Sequence, residues 1–240
     1  MMTRSGGRAA NQLREIEIVR GIAPQAAGSA LIRTGETRVI CTASIAAGVP
    51  EWRKDSGKGW LTAEYDMLPG ATPTRRARNR LDGRTREIER LIGRSIRACI
   101  DLSRLGSNTI HLDCDVLSAD GGTRTASITG VFVALHDAVR VGAARGLWAE
   151  DVLTCAVAAV SAGVVRGAAL LDLDYGEDVS AEVDANLVMT DRGEWVEVQA
   201  TAERGTYSDA QLRELTEVAR SGIMQLFELQ RRALAAVRIG

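Results

Sequence analysis

The segment at residues 120–127, Asp-Gly-Gly-Thr-Arg-Thr-Ala-Ser, has the composition of an anion-binding turn. It follows a predicted strand and opens a predicted helix, and its two glycines let the backbone approach a ligand closely. A helix start offers unpaired N–H groups and a positive dipole end, to which Thr123 adds a hydroxyl and Arg124 a fork of donors. These groups suit a phosphate or sulfate, although the Gly-Lys-Ser/Thr ending of a Walker loop is missing. The same spacing also fits a tight turn whose arginine faces solvent, so spacing alone leaves both interpretations open.

A second candidate lies in the basic stretch at residues 75–97, which holds nine arginines against three acids. Gly83-Arg84-Thr85 begins its helical part, so a helix N-terminus would strengthen the attraction of Arg84 for an anion. A run of charges is usually a solvated face, but here the loop before the helix contains a single acid, Asp82. An RNA strand is the natural partner for such a loop. Its arginines are Arg75, Arg76, Arg78 and Arg80.

A third candidate is acidic and lies within the thirteen residues 172–184. Strand alternation places Glu182, Asp184 and Asn186 on one face. Carboxylates crowded in this way repel one another, so a fold that keeps them close is expected to supply a cation. With few nitrogen or sulfur ligands nearby, Mg²⁺ or Mn²⁺ is favoured over zinc, and solvated strand ends are the alternative. The six acids are Asp172, Asp174, Glu177, Asp178, Glu182 and Asp184.

Composition narrows the class of protein. The net charge of −1 over 240 residues means that any affinity for nucleic acid must come from local clusters of charge. The two histidines, His111 and His136, are too few for a zinc site without help from cysteine, and no Cys-x-x-Cys pair is present. No signal peptide and no membrane-spanning apolar run is found, so we expect a protein of the reducing cytoplasm that has no membrane partner.

The periodicity of apolar residues predicts a mixed α/β chain, most simply one compact domain over residues 1–240 with helices packed against sheets. The basic stretch becomes an amphipathic helix in its second half, and Ser208 with Gln211 forms a capping box for the last helix, which runs to about Leu234. The other predicted helix covers residues 126–146. The predicted strands are 13–20, 28–34, 37–43, 60–67, 109–116, part of 151–165, 168–175, 180–190 and 195–202.

Four long blocks resemble the ribonuclease PH family, in one order and over roughly residues 4–232. The first is Gly-Trp-Leu-Thr-Ala-Glu-Tyr-Asp-Met-Leu-Pro at 59–69, and the second is Gly-Arg-Thr-Arg-Glu-Ile-Glu-Arg-Leu-Ile-Gly-Arg at 83–94. The third runs from Asp-Cys-Asp-Val at 113 to Ile-Thr-Gly at 130, and the fourth from Asp-Leu-Asp-Tyr-Gly-Glu-Asp at 172 to Asp-Ala-Asn at 186. Four such blocks are far more specific than any single short motif.

The resemblance implies a β-α-β-α fold that assembles into a hexameric ring, a trimer of dimers. It implies phosphorolysis of RNA 3′ ends, with inorganic phosphate as co-substrate, Mg²⁺ (or Mn²⁺) as cofactor, and tRNA precursors and other RNAs as partners. The phosphate site would comprise Arg84, Gly122, Thr123 and Arg124. Asp178 and Asp184 would be both catalytic and metal-binding, and Arg75, Arg78 and Arg76 would guide the RNA.

The chain departs from the family pattern in the loop before the basic helix. The family usually carries an arginine after Met-Leu-Pro, where this chain has Gly70, and the loop between Thr74 and Gly83 is several residues shorter than in many relatives. The reaction type is unaffected, but the grip on structured RNA and the assembly of the ring come into question. Two other functions remain open at this point: a catalytically silent ring subunit that binds RNA, and a Mg²⁺-dependent hydrolase that uses water.

Overall fold

The computed structural model describes residues 4–78, 82–149, 152–203 and 205–236. Two sheets form within this part of the chain. The first is ordered β1-β2-β3-β5-β4, with β4 and β5 parallel and the other neighbours antiparallel. Its strands are β1 (Ile16–Arg20), β2 (Gly28–Thr34), β3 (Thr37–Ala47), β4 (Trp60–Met67) and β5 (Asn108–Ser118).

The second sheet is antiparallel throughout and ordered β7-β6-β8-β9. Its central strand β6 is buried along its whole length, because α2 covers one face of the sheet and α4 the other. Its strands are β6 (Val157–Val165), β7 (Ala168–Leu171), β8 (Val183–Thr190) and β9 (Trp195–Ala202).

Four α-helices accompany the sheets: α1 (Gly83–Arg97), α2 (Thr123–Ala144), α3 (Tyr175–Ser180) and α4 (Asp209–Ala235). Helix α1 packs on β4, and α2 lies between the two sheets. Short 3₁₀ helices occur at Ser5–Gly7, Glu51–Ser56 and Leu102–Leu105.

The mixed α/β prediction is confirmed, and the amphipathic elements match it closely. The apolar residues predicted for one face of α1 all lie in the core, and the Asp82 carboxylate caps the helix by accepting from the N–H of Thr85 at 2.8 Å. The capping box of Ser208 and Gln211 opens α4 as predicted. The buried face of α1 and its end comprises Ile88, Leu91, Ile92, Ile96, Cys99 and Ile100.

The region where the strands predicted for 168–175 and 180–190 approach each other was predicted wrongly. The strand predicted for 168–175 ends at Leu171, and the one predicted for 180–190 begins at Val183, because helix α3 occupies the interval. Asp174 forms a capping box with Glu177: its carboxylate accepts from the Glu177 N–H at 2.9 Å while the Glu177 carboxylate accepts from the Asp174 N–H. This satisfied helix start outweighs the strand pattern.

Among the described residues, α2 is the one helix long and apolar enough to cross a membrane, with 78% of the relevant window buried inside the molecule. The helix is apolar because it is the central core element between two sheets. One hydrophobic core extends from the first sheet through α2 to Ala159 and Val188 of the second. The single domain over 1–240 stays a prediction.

Candidate functional site

A cleft of about 1150 Å³ opens where both sheets meet the N-termini of α1 and α2. One wall is the turn before α2 together with Arg84 of α1, and the opposite wall is α3 with the start of β8. The cleft therefore brings together all six residues that the sequence assigned to phosphate and metal. They are Arg84, Gly122, Thr123, Arg124, Asp178 and Asp184.

The turn before α2 is shaped by two glycines with left-handed backbone. Gly121 has φ 74° and Gly122 has φ 63°. Gly122 occupies the N-cap of α2, where no side chain caps the first-turn N–H groups. The helix begins at Thr123, three residues before the predicted start, and its first turn faces the cleft with N–H groups available to an anion.

Thr123 is buried, and its hydroxyl lies 2.9 Å from the hydroxyl of Tyr65 on β4. Burial raises the pKa of Tyr65 to about 12, so the phenol stays protonated at neutral pH. The phenol can therefore donate to the Thr123 oxygen, which leaves the Thr123 proton available to a ligand.

Two guanidinium groups converge on the cleft. Arg84 is an exposed residue in the first turn of α1. Arg124, in the first turn of α2, is largely buried and lies 3.8 Å from the carboxylate of Glu87. Both arginines line the same cleft as Asp178 and Asp184, and their charges lower the pKa values of these two carboxyl groups, which opposes the effect of burial.

Asp178 and Asp184 form the acidic side of the cleft. Burial raises the pKa of Asp178, and burial together with the charge of Asp178 raises the pKa of Asp184. Glu203, which follows β9, adds to both shifts. A cation would relieve this repulsion, so the pair has the donor chemistry of a Mg²⁺ or Mn²⁺ site completed by water and substrate phosphate.

Three other acids of the cluster, Asp172, Asp174 and Glu177, are paired with arginines, whereas Glu182 lines the cleft with Asp178 and Asp184. The Arg4 Nε donates to Glu177 at 2.7 Å, and the Arg14 Nη2 lies 2.7 Å from Asp172. Arg8 lies 3.1 Å from Glu177 and 3.6 Å from Asp174. Arginines of the N-terminal segment thus neutralise three of the acids, and within the described ranges no three His, Cys, Asp or Glu side chains are arranged to hold a metal.

The arginines predicted to guide RNA lie in the loop before α1, and other residues of this loop, Thr72, Pro73 and Thr74, line the cleft. Arg75 and Arg78 are exposed. Arg76 lines the cleft, and its guanidinium already has partners within the protein. Its Nη2 lies 3.7 Å from the Asp82 carboxylate, and its Nη1 donates to the Met67 sulfur at 2.8 Å. Arg80, the remaining arginine of this loop, lies outside the described residues.

Several residues in or behind the cleft have no local sequence signal. Tyr65 and Glu203 reach the site through strand pairing, and Arg14 reaches it across 158 residues of sequence. Asn186, which strand alternation had placed beside Asp184, does line the cleft. His136 does not line this cleft, and it borders a smaller cavity of about 520 Å³ near the end of α4.

Comparison with known proteins agrees with the fold. The profile of the 3′ exoribonuclease family, domain 1, matches residues 12–140, and the profile for domain 2 of the same family matches residues 155–222. The chain therefore belongs to the 3′ exoribonuclease family.

Curated relatives narrow the family to one branch. The chain is 56% identical over 240 residues to the ribonuclease PH of Nocardia farcinica, covering 98% of this chain and 93% of the relative. It is 55% identical over 236 residues to the ribonuclease PH of Corynebacterium efficiens, covering 97% and 96%. At this identity over nearly the full length, the resemblance to ribonuclease PH seen in the four sequence blocks is confirmed.

Solved structures show the same fold at much lower identity. Rice (Oryza sativa) Rrp46 is 20% identical with a TM-score of 0.79, covering 96% of this chain and all of Rrp46. A chain of the Archaeoglobus fulgidus exosome, solved with RNA bound to its active site, is 22% identical with a TM-score of 0.79, covering 94% and 91%.

Proposed function

We propose that this chain removes nucleotides one at a time from RNA 3′ ends by transferring them to inorganic phosphate. A phosphate oxygen attacks the terminal phosphodiester, the P–O3′ bond breaks, and a nucleoside diphosphate leaves an RNA that is shorter by one nucleotide. Because a phosphoanhydride replaces a phosphodiester, the reaction runs backwards in excess diphosphate and then extends the RNA. The observation that carries this proposal is the cleft in which Arg84 and Arg124 face Asp178 and Asp184.

The arginine side of the cleft holds the attacking phosphate. Arg84 and Arg124 supply planar forks of donors, and the turn at Gly122 and Thr123 supplies first-turn N–H groups and a hydroxyl. Phosphoryl transfer depends mainly on positioning and on electrostatic stabilisation, both of which this arrangement provides. Holding two anions side by side requires this concentration of positive charge.

The aspartate side handles the charge and proton of the leaving group. Asp178 and Asp184 would hold Mg²⁺, or Mn²⁺ in its place, which when bound neutralises charge on the transferring group. Without a bound metal, burial and the charge of Asp178 favour the protonated form of Asp184. One of the two carboxyl groups would also pass a proton to the departing 3′ oxygen, and we favour Asp184 for this step.

The RNA enters past the basic loop. Arg75 and Arg78 are exposed in the loop that borders the cleft and would contact backbone phosphates, and Arg76 of the same loop lines the cleft. We extend the proposal to tRNA precursors as substrates and to a hexameric ring, a trimer of dimers, as the assembly. These points rest on the match to ribonuclease PH relatives. The free cysteines Cys41, Cys99, Cys114 and Cys155 support a cytoplasmic location.

Two alternatives are separated by one experiment. A silent RNA-binding subunit would have no use for the assembled arginine and aspartate groups, and a hydrolase would not need two arginines for a nucleophilic anion. Purified protein is incubated with a short single-stranded RNA and Mg²⁺, with and without inorganic phosphate. Nucleoside diphosphates that appear only with phosphate are the expected result. Monophosphates released without phosphate would indicate hydrolysis, and RNA binding without release would indicate the silent subunit.

A further inference from the structure

The Arg14 side chain contacts both the turn before α2 and the segment leading into α3. Its backbone N–H and its Nε donate to Asp172 Oδ2 at 2.8 and 3.1 Å, and its Nη2 lies 2.7 Å from Asp172 Oδ1. The same guanidinium donates to the carbonyl oxygen of Asp120, and more weakly to that of Gly121 at 3.5 Å. It therefore connects the turn that carries the phosphate-site residues to the segment that carries Asp178.

This connection is buried. The side chains of Arg14 and Asp172 are 7% and 5% exposed, so solvent screens their attraction weakly. Asp172 has a left-handed backbone with φ 54°, and its carboxylate meets the Arg14 N–H and guanidinium together. Gly122 also lies close to this guanidinium, since a Cβ there would be 3.1 Å from the Arg14 Nη2.

We propose that Arg14 is a positioning residue, which sets the spacing between the phosphate-binding turn (residues 120–123) and the helix that presents Asp178. This inference rests on the proposed function of the cleft. A guanidinium is required because one planar group must satisfy a carboxylate and two carbonyl oxygens at once, which a lysine ammonium cannot do in the same geometry.

Two substrates should respond differently to the loss of this contact. Phosphate binds at the turn that Arg14 holds, so its affinity should fall. RNA enters past Arg75 and Arg78, which Arg14 does not contact, so its affinity should change little.

Arg20 offers a matched control for Arg14. Its side chain is equally buried, pairs with the buried Asp137 at 2.5 Å, and donates to carbonyl oxygens at the end of α4. It lines no part of the cleft. Arg20→Lys therefore disrupts a comparable network at a position remote from the site.

The test measures the binding of inorganic phosphate alone by calorimetry and, separately, the KM values for phosphate and RNA, with thermal unfolding to verify folding. Arg14→Lys should weaken phosphate binding and raise its KM by roughly tenfold or more, as loss of a charged hydrogen-bond network implies. The KM for RNA should stay within about twofold, and Arg20→Lys should leave both KM values unchanged. Asp172→Asn replaces Arg14→Lys if that variant does not fold.

Two results would overturn the positioning role: phosphate affinity of Arg14→Lys equal to that of Arg20→Lys, or parallel losses for phosphate and RNA. If the wild-type protein binds no phosphate at all, the proposed function fails instead, and the two failures are thereby distinguished.

A separate observation concerns the apolar rim of the cleft. Tyr175 and Val179 both line it and are 59% and 68% exposed. Their i, i+4 spacing on α3 places them on one face, next to Asp178. We infer that this face is a stacking platform for a nucleobase at the RNA 3′ end, because base stacking on an aromatic ring tolerates any sequence and suits an enzyme that removes successive nucleotides.

The test measures RNA binding by fluorescence anisotropy without phosphate, so that no turnover occurs. Tyr175→Ala should weaken binding roughly tenfold, and Tyr175→Phe should retain it. Two further RNAs, one without its last base and one without its next-to-last base, identify which base stacks on Tyr175. The RNA that lacks the stacked base should bind the wild type and Tyr175→Ala with equal affinity. Unchanged affinity in Tyr175→Ala, or a change in its oligomeric mass by light scattering, would overturn the platform; the second result would show that the face contacts another copy of the chain.

Discussion

Gly121 lies against the carbonyl oxygen of Leu173, so closely that a Cβ on Gly121 would be 2.5 Å from that oxygen and 2.8 Å from the carbonyl carbon of Asp174. This contact presses the phosphate-binding turn onto the segment that opens α3. A glycine is needed here for two reasons: a side chain would collide with this backbone, and the φ of 74° lies in the left-handed region.

The first prediction concerns that contact. Gly121→Ala should lower both the midpoint of thermal unfolding and the phosphate affinity, because the turn must move away from Leu173. Gly167→Ala is the matched control: Gly167 has φ 75°, but a Cβ added there would meet nothing within 4 Å, so only the backbone cost of about 1–2 kcal/mol applies. Equal losses of stability in the two variants would show that the contact with Leu173 is unimportant.

The second prediction concerns Arg124. If it stabilises charge during transfer, Arg124→Ala should lower kcat/KM by about a hundredfold or more, equivalent to about 3 kcal/mol. Arg86→Ala removes an exposed arginine of α1 that does not line the cleft, and it should retain nearly full activity. Steady-state phosphorolysis of a short RNA provides the comparison. Near-full activity of Arg124→Ala would rule out its assignment to the phosphate site.

The third prediction concerns the charge of Asp184. Burial raises the pKa of Asp184, and the charge of Asp178 raises it further. The ionised carboxylate is therefore disfavoured in the folded protein. Below the pKa that Asp184 has in the unfolded chain, the carboxyl is protonated in both states and does not reduce the stability of the fold. As the pH rises through the higher pKa of the folded state, the buried group ionises and that stability is lost. At neutral pH without divalent metal, Asp184→Asn should therefore raise the Tm, on the order of 2 °C.

The same variant should lose phosphorolytic activity and the stabilisation that Mg²⁺ gives the wild type. Near pH 4, about the ordinary carboxyl pKa, the Tm difference between variant and wild type should shrink. Calorimetric unfolding at both pH values, with and without Mg²⁺, measures these effects. An Asp184→Asn protein that remains active in Mg²⁺ would contradict the metal role.

The fourth prediction concerns the basic loop. Arg75→Ala and Arg78→Ala should raise the KM for RNA and leave the KM for phosphate unchanged, because both side chains are exposed in the loop that borders the cleft and neither lines it. Each lost phosphate contact should reduce the slope of log affinity against log salt by about 0.7 for a single strand. Binding titrations at several salt concentrations give that slope. An unchanged slope in both variants would show that the loop does not contact the RNA backbone.

The elements that the sequence predicts well are those with a buried face long enough to show a period. Helix α1 alternates buried isoleucines and leucines with exposed arginines, and β5 alternates buried Ile110, Leu112, Cys114 and Val116 with polar residues. Helix α3 has only six residues and exposes its apolar side chains, so it carries no such period. It was therefore missed even though Asp174 and Glu177 form a recognisable capping box.

The residues of the site could be predicted from the sequence, but the long-range contacts that hold them together could not. Glycines, arginines and aspartates of recognisable blocks identify the groups that the cleft brings together. The Arg14–Asp172 contact spans 158 residues, and the Tyr65–Thr123 contact spans 58, so neither leaves a local pattern. For the same reason the acids that meet N-terminal arginines could not be distinguished by sequence from Asp178 and Asp184.

The most direct test of phosphorolysis follows the phosphate itself. The protein is incubated with unlabelled RNA, Mg²⁺ and radiolabelled inorganic phosphate, and the released nucleotides are separated. The account predicts nucleoside diphosphates that carry the label in the β phosphate, in amounts equal to the nucleotides removed from the RNA. Released nucleotides without label would contradict it, because phosphate would then not be the nucleophile.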